Sequence, residues 1–522
     1  MQLSRVIETS AAVAGTRSRT AKTALLAQTL REAADRSELG PETVDGGDGR
    51  ARLVAVVADY LAGTLPQRTV GVSWRGLRSL PDPAPAPVLS VLEVDDALSH
   101  LRSLSGQGSA TARGAEVQEL FSRATGDEQR WLVGLITGEL RQGAGDGVLL
   151  PAIAQAAEVP EPLVRRAVML TGFPGPVAAA ALLAGADALE ALRLEVGRPL
   201  RPMLAGSAPE VAIAVDGSRE VAVESKLDGI RIQVHLDRRA EVPVRLYTRS
   251  LEEITDRLPE VVTAICALPA QQAVLDGEVI ALGAEGRPEP FQVTGARTAS
   301  SADPGAMAQT TPVTTYLFDL LHLDGQDLVD HPAATRWAAL RKLAPELLVD
   351  RLVTADPAAA QAFFEEVLAR GHEGVVVKEC GAPYAAGRRG AGWVKVKPRR
   401  TADLVVTAVE WGSGRRKGWL SNIHLAARDP QTGALVMVGK TFKGMTDAML
   451  TWQTARFLQL ETSRDDGVVH VSPQQVVEIA YDGVQTSRRY PGGLALRFAR
   501  VLRYRDDKTP GEADTLADLR ST

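Results

Sequence analysis

AVESKLDGIRIQVH, from Ala222 to His235, is the stretch on which the reading of this 522-residue chain turns. It alternates apolar and polar residues on both sides of a short Leu-Asp-Gly break, the pattern of a strand, a tight turn and a second strand. In the second strand Ile230, Ile232 and Val234 fall on one face, and Arg231 and Gln233 on the other. The lysine ahead of the break is unusual for this chain. Of 59 Lys and Arg residues 10 are Lys, leaving 59 − 10 = 49 Arg, so Arg is the default cation. A Lys can lose its proton and act as a nucleophile, which an Arg cannot. Making an ordinary Lys neutral near pH 7.4 costs about 4 kcal/mol, and neighbouring cations or a metal lower that cost. The spacing K-x-D-G-x-R therefore marks Lys226 as a candidate nucleophile rather than a lysine at a strand end.

Working outward, short alternating runs continue the strand pattern: EVAVES, VRLYTR, AVLDGEVIAL, TTYLFDLLHL, GVVVKE and WVKVKP, with the helical PAAAQAFFEEVLARG among them. They begin after GRPLRPMLAG (Gly197–Gly206). Upstream, segments such as EVQELFSRATGDEQRWLVGLITGELRQGA carry helical spacing. The Pro-Ala connector LPDPAPAPVL (Leu80–Leu89) is followed at once by more helical pattern and reads as a loop inside one helical domain. The N-terminal MQLSRVIETSAAVAGTRSRTAKTALLAQTL lacks a continuous apolar run and reads as the first helix or two of the fold rather than a targeting segment. Beyond residue 400 come DLVVTAVEW, IHLAARD, ALVMVGKTF, VVEIAYDGV and ALRFARVLRY, and about five strands in this length suit an oligonucleotide-binding barrel. The expected fold is thus multidomain α+β: an all-α domain over 1–196, a mixed α/β domain with antiparallel sheets over 197–399, and a β-barrel over 400–522.

Composition narrows the chemistry. Two cysteines, Cys266 and Cys380, supply neither a disulfide framework nor a four-cysteine zinc site and point to a reducing cytoplasm. Seven scattered His show no ligand spacing, which argues against zinc. No apolar run is long enough for a transmembrane helix. The net charge of −5 argues mildly against a nucleic-acid partner, but the distribution does not. Nine basic residues between Arg388 and Lys417 face only Asp403 and Glu410, and six Arg between Ala480 and Arg505 face only Asp482. Two such patches on an acidic chain suit directed contact with phosphate.

Glu278 lies inside the apolar run AVLDGEVIAL, where a charge is costly unless paired or bound to metal. Glu373 opens EGVVVK, which ends in Lys378, and WVKVK sets Lys395 and Lys397 on one strand face. Two separated glutamates suit Mg²⁺, which takes one or two carboxylates and completes its shell with water and phosphate oxygens. GALVMVGKT resembles a phosphate-binding loop only superficially, since five residues rather than four separate Gly433 from Gly439.

In order along the chain, these strings resemble the nucleotidyltransferase motifs of ATP-dependent DNA ligases, of a bacterial, actinobacterial type similar to the eukaryotic and archaeal replicative enzymes. KLDGIR resembles motif I, with Lys226 as the lysine that carries AMP, and YTRS the next motif through Arg249. DGEVIA resembles motif III through Glu278, LFDLLHLDG supplies Phe318, EGVVVK resembles motif IV through Glu373 and Lys378, and WVKVK resembles motif V. LRFARVLRYRDDKTPGEADTL is similar to motif VI, with Arg497, Arg500 and the run from Arg505 to Lys508. RWLVGLITGELRQGAGDGVLLPAIAQA is similar to the family's helical DNA-binding domain, and RPMLA to the entry into its catalytic domain.

The resemblance implies an enzyme that seals nicks in duplex DNA in replication, repair and recombination, using ATP and Mg²⁺, with Mn²⁺ as a substitute. It implies that Glu224 reads the adenine amino group, that Phe318 stacks on the base, and that Arg231, Arg249 and Arg389 hold ribose or phosphate. Lys395 would touch the α-phosphate beside Lys378 and Lys397, and Glu278 and Glu373 would serve the metal. It implies a C-terminal barrel that presents motif VI to ATP and then swings away to clamp DNA, and a helical domain that grips the phosphate backbone through GTRSRTAK near Arg17 and ELRQGAGDG near Arg141. A cytoplasmic, nucleoid-associated monomer is expected, with nicked DNA, and a sliding clamp or repair proteins, as partners and no membrane. The rivals are an RNA ligase or RNA-capping guanylyltransferase, which shares the lysine motif, and a catalytically inactive DNA-binding scaffold. A capping enzyme would not carry so long a helical segment, and an NAD-dependent ligase would carry a cysteine zinc module.

Overall fold

The computed structural model describes residues 1–35, 49–140, 142–283, 285–300, 302–386, 392–465 and 467–521. Its first part is helical, from Leu3–Gly15 and Arg19–Ala34 to Glu161–Thr171 and Pro174–Glu190. Capping explains several starts: the Ser18 side chain accepts from Ala21 N–H, and capping boxes at Ser90 and Thr125 open the helices Val91–Ser103 and Gly126–Ile136. One apolar core runs from Leu3 to Leu189; it takes in Leu89 at the end of the Pro-Ala connector, and Leu80 at the connector's start packs against it. The connector is laid onto that core, with Ala84 N–H donating to Ala124 O and Leu3 N–H to Leu89 O, each at 2.9 Å. The two basic loops expected to grip DNA meet. Arg19 donates to Gly147 O at 3.0 Å and Lys22 Nζ to Gly143 O at 3.3 Å. Arg17 is exposed beside them, and Arg141 lies outside the described residues.

The central part is built on two five-stranded sheets. In the first, Val221–Lys226 runs antiparallel between Gly374–Glu379 and Arg351–Thr354, and Trp393–Val396 lies on the far side of Gly374–Glu379. In the second, Ile230–Asp237 runs antiparallel between Val244–Thr248 and Gln272–Ala281, and Val313–Leu323 follows. The two halves of AVESKLDGIRIQVH therefore do not form a hairpin: the Leu-Asp-Gly turn carries the chain from one sheet to the other. Ile232, Val234 and Leu236 enter the core under the second sheet, as their alternation requires. Val221, Val223, Val375 and Val377 pack on the helix Pro357–Ala369 under the first.

The C-terminal part is a branched seven-stranded antiparallel sheet around its own core. Its long strand Arg400–Trp411 pairs with Leu420–Arg428, Val468–Val471 and Val476–Tyr481, and one helix, Asp447–Gln459, is inserted between strands. The oligonucleotide-binding barrel is more divided than its sequence suggests. ALRFARVLRY breaks into Leu494–Arg497 and Arg500–Arg505 at Phe498, whose φ is +53°, and VVEIAYDGV breaks at Asp482. The hairpin formed by Glu461–Asp465 and Val468–Val471 was not legible, because ETSRD is too polar to show a strand period. Gly439 sits within the strand Leu435–Thr441, paired with Leu420–Arg428, so the apparent phosphate loop is a sheet edge. No helix among the described residues is long and apolar enough to cross a membrane.

Candidate active site

The turn that joins the two sheets holds the candidate nucleophile. It can sit where it does because Gly229 lacks a side chain: a Cβ there would lie 2.2 Å from Val279 O. The Gly229 N–H donates to Glu278 Oε1 at 3.1 Å, which ties the turn to the neighbouring strand. Gly374 plays a similar part behind Glu373, where a Cβ would lie 2.2 Å from Val396 O and φ is +142°.

Lys226 Nζ is ion-paired with Glu373, whose other oxygen takes Lys397. Burial disfavours the charge on Lys226, but Glu373, Glu278 and Asp228 more than offset it and hold the ammonium above the ordinary lysine range. The expectation that neighbouring cations ease its deprotonation is therefore not met in this state: the carboxylates dominate. Glu373 is held below its usual range, because Lys226 and Lys397 outweigh a burial that would raise it. For Glu278 burial wins over Lys226 and the Gly229 N–H, and its carboxyl is pushed up to about 7. Lys395 sits on the same strand face, and among the described residues it has no carboxylate within ion-pair distance. Burial, with Lys397 and Lys226 nearby, lowers its pKa.

Beyond the lysine lies a buried cluster of aromatic and charged side chains. Phe318 and Trp393 meet edge to face at 5.9 Å between centroids. Lys378 Nζ lies 4.4 Å from the Phe318 centroid, 4.1 Å from that of Trp393, and 2.5 Å from Glu224 Oε2. Glu224 also takes Arg351 on Oε1 at 2.7 Å. Arg231, expected at ribose or phosphate, is instead committed to Asp276 through two hydrogen bonds of 2.9 and 2.5 Å, and also to Met203 O and the Tyr384 hydroxyl. Burial works against its charge, yet Asp276 holds its pKa well above the usual arginine range. Arg249 is exposed one residue past Thr248, which pairs with Ile232. Arg389 lies outside the described residues.

The barrel closes over this site. Arg497 Nη1 donates to Asp228 Oδ2 at 2.6 Å, and Asp482 Oδ2 accepts from Lys397 at 3.1 Å. Gln292 adds a hydrogen bond to Thr486 O at 3.0 Å. Motif VI is split by the bend at Phe498. Arg497 reaches the lysine turn, Arg500 is exposed, and Arg505 and Lys508 bind Asp403 within the barrel at 3.0 and 2.5 Å. Sequence reasoning assigned no role to Asp228, Asp276, Arg351 or Asp482. Asp482 had a signal, as the lone acid in an arginine-rich stretch. Arg351 had none, since its place follows from the pairing of Glu224 with Arg351 across two strands 127 residues apart.

Among the described residues no three His, Cys, Asp or Glu side chains converge into a metal cage. Glu278 and Glu373 nevertheless both act on Lys226, and a buried carboxyl as raised as Glu278 is one a divalent cation would stabilise. An amine between two carboxylates, a lysine without a carboxylate partner among the described residues, and an aromatic pair beside a buried carboxylate form a set suited to attack on a nucleotide's phosphate.

Comparison with known proteins agrees. Family models match in order along the chain: DNA ligase N terminus over 74–154, ATP dependent DNA ligase domain over 202–397, and ATP dependent DNA ligase C terminal region over 416–508. A probable DNA ligase of Nocardioides sp. is 58% identical over 99% of this chain and 98% of its own. Another, of Beutenbergia cavernae, is 56% identical over 100% of this chain and 99% of its own. The solved chain Pmar-Lig_PreS3 has the same fold, with a TM-score of 0.61 at 17% identity over 96% of this chain and 99% of that one. With its three segments matched in order and such relatives along its whole length, the chain belongs to the family of ATP-dependent DNA ligases.

Proposed function

We propose that this ligase seals nicks in duplex DNA through a phosphoramidate on Lys226. The observation that carries the assignment is the placement of Lys226 among Glu373, Glu278 and the Asp228–Arg497 contact, with Lys395, which has no carboxylate partner among the described residues, close by to meet phosphate. The Lys226 amine, having lost a proton, attacks the α-phosphorus of ATP; an N–P bond forms, the bond to the β-phosphate oxygen breaks, and pyrophosphate leaves. An oxygen of the nick's 5′-phosphate then attacks the same phosphorus and releases the lysine. The 3′-hydroxyl attacks the activated 5′-phosphate, AMP leaves, and the strand is continuous. Positioning and charge stabilisation supply most of the catalysis.

Glu224 would read the adenine edge, Phe318 would stack on the ring, and Lys395 would bind the α-phosphate, with Lys378 and Lys397 fixing the two carboxylates around it. Arg231 would act at the ribose only by way of its pair with Asp276, and Arg249 and Arg389 would serve ribose or phosphate. Glu278 and Glu373 would hold Mg²⁺, or Mn²⁺ in its place, which supplies charge neutralisation at the phosphate. Drawing Glu373 off Lys226 would remove the interaction that most favours its ammonium form. Arg497 would meet the pyrophosphate end of ATP while the barrel is docked, and the barrel would move off to clamp DNA for the later steps. We place the domains at 1–196, 197–399 and 400–522, in a cytoplasmic, nucleoid-associated monomer that a sliding clamp or repair proteins recruit.

The test uses α-labelled ATP and Mg²⁺. Acid-labile label should appear on the wild-type protein, pass to nicked DNA, and be absent from Lys226→Ala. Label on Lys226→Ala, or none on the wild type, rejects the assignment.

A further inference from the structure

Arg351 stands at the start of the strand Arg351–Thr354, directly across the sheet from Glu224. Its Nε and Nη2 lie 2.7 and 2.6 Å from Glu224 Oε1, and Nη2 also donates to the backbone carbonyl of Phe318 at 3.0 Å. The guanidinium lies over the Trp337 ring at 4.2 Å, which fixes its plane. Only 8% of the Arg351 side chain and 3% of the Glu224 side chain are exposed. Lys378 takes the other oxygen of Glu224 at 2.5 Å. One side chain thus ties together the carboxylate at the base edge and the main chain of the aromatic ring at the base face. A compact ammonium could not do both from this place, whereas the planar fork can.

We propose that Arg351 is a positioning residue for purine recognition: it holds Glu224 and Phe318 in the relation that accepts a 6-amino purine nucleotide and rejects a 6-oxo one. The inference rests on the assignment of Glu224 and Phe318 to the adenine. An ionised carboxylate only accepts hydrogen bonds. It therefore welcomes the amino group of adenine and is left facing another acceptor when the purine carries an oxo group. Sites built to hydrogen-bond one substituent reject its analogue strongly, provided the partner cannot turn away. With Oε1 taken by Arg351 and Oε2 by Lys378, Glu224 has its rotamer fixed, and few lone-pair directions remain for the base.

The experiment compares wild type, Arg351→Met, Arg351→Lys, Glu224→Ala and the double variant Glu224→Ala/Arg351→Met. The readout is the rate of protein-bound label formed from α-labelled ATP or α-labelled inosine triphosphate, resolved into KM and kcat. Arg351→Met should raise KM for ATP on the order of 10-fold with a smaller change in kcat, and should narrow the ATP-over-inosine-triphosphate preference by a similar factor. Arg351→Lys should fall between Arg351→Met and wild type. In the Glu224→Ala background Arg351→Met should cost no further selectivity, because Arg351 acts through that carboxylate. A wild-type preference in Arg351→Met overturns the proposal, and so does an equal loss of selectivity with and without Glu224. Should Arg351→Met not fold, a wild-type preference in Arg351→Lys overturns it instead. A wild type that takes no label would reject the Lys226 assignment, while a labelled wild type with unaltered variants rejects only the role of Arg351.

Discussion

Replacing Gly229 by alanine separates steric positioning from backbone conformation at the nucleophile's turn. The φ of Gly229 is not in the left-handed region, so alanine is conformationally tolerated and space alone decides the outcome. The added Cβ would stand 2.2 Å from Val279 O and 2.5 Å from Ile280 Cγ2. Non-bonded heavy atoms settle near about 3.5 Å, so the turn must withdraw from the strand Gln272–Ala281 by about 1 Å. The hydrogen bond from Gly229 N–H to Glu278, already 3.1 Å long, does not survive such a shift. Overpacking of this kind costs about 1–3 kcal/mol of stability, and a displacement of about 1 Å at a reacting group costs on the order of 100-fold in rate. Stopped-time labelling with α-labelled ATP measures the rate, and thermal melting measures the stability. Gly381→Ala is the control, because its Cβ would meet nothing within 4 Å and its φ is ordinary. If Gly229→Ala takes label within threefold of wild type and melts unchanged, the steric account of the turn is wrong.

Arg497→Ala removes the barrel's contact with Asp228, so label transfer from ATP to Lys226 should fall roughly 10-fold or more, at about 1.4 kcal/mol per decade, while sealing of a preformed DNA-adenylate falls less; equal losses would refute a role confined to the docked state. Glu278 titrates near 7 in the folded protein, above an unfolded carboxyl, so the folded state binds the extra proton between about pH 4.5 and 7 and loses stability as pH rises through that window. Glu278→Gln should therefore gain on wild type by at most about 3 kcal/mol between pH 5 and pH 8 in urea melts, and Mg²⁺ should erode the difference for wild type at pH 8. Arg336 and Asp319 form an ion pair with both side chains fully buried, and Arg336→Met leaves an acid unpaired, so denaturant melts should show a loss of about 3–5 kcal/mol. Phe318→Ala should raise KM for ATP by about 10-fold through lost stacking of about 1–3 kcal/mol, and an unchanged KM would count against Phe318 as the base platform.

The sequence made the elements legible but not their partners. The period-2 runs around Lys226, Glu278, Glu373 and Lys395 are strands, because alternation reports which face of a strand is buried. That report is local. Nothing in AVESKLDGIRIQVH says that its two strands enter different sheets, since that depends on Val279 approaching a glycine from 50 residues away. Likewise the family resemblance singled out Glu224, while its pairing with Arg351 and Lys378 depends on strand register. ALRFARVLRY looked continuous because its apolar residues do not mark a bend. The break at Phe498, a phenylalanine in the left-handed region, is what lets Arg497 face the lysine turn while Arg505 stays on Asp403.

The scarcity of lysine, which first singled out Lys226, has a wider physical reading in the assembled site. Three arginines in and around it each meet one aspartate with a planar fork: Arg231 on both oxygens of Asp276, Arg336 on both of Asp319, Arg497 on both of Asp228. The lysines Lys378 and Lys397 instead meet single carboxylate oxygens. Lys397 lies between two carboxylates on different domains, Glu373 and Asp482, where a point charge serves both. Lys378 is buried against the rings of Phe318 and Trp393 and meets one oxygen of Glu224, whose other oxygen is taken by Arg351. Lys226 differs from both, because its ammonium is a resting state that the proposed reaction must undo. Its hold on Glu373 is shared with Lys397, so the carboxylate is not bound to the nucleophile by a closed fork. A single-point pair can be opened by a competing cation at one oxygen, whereas an arginine pair must lose two hydrogen bonds together. The same chemistry that suits Lys226 to the proposed attack also makes its resting ion pair reversible.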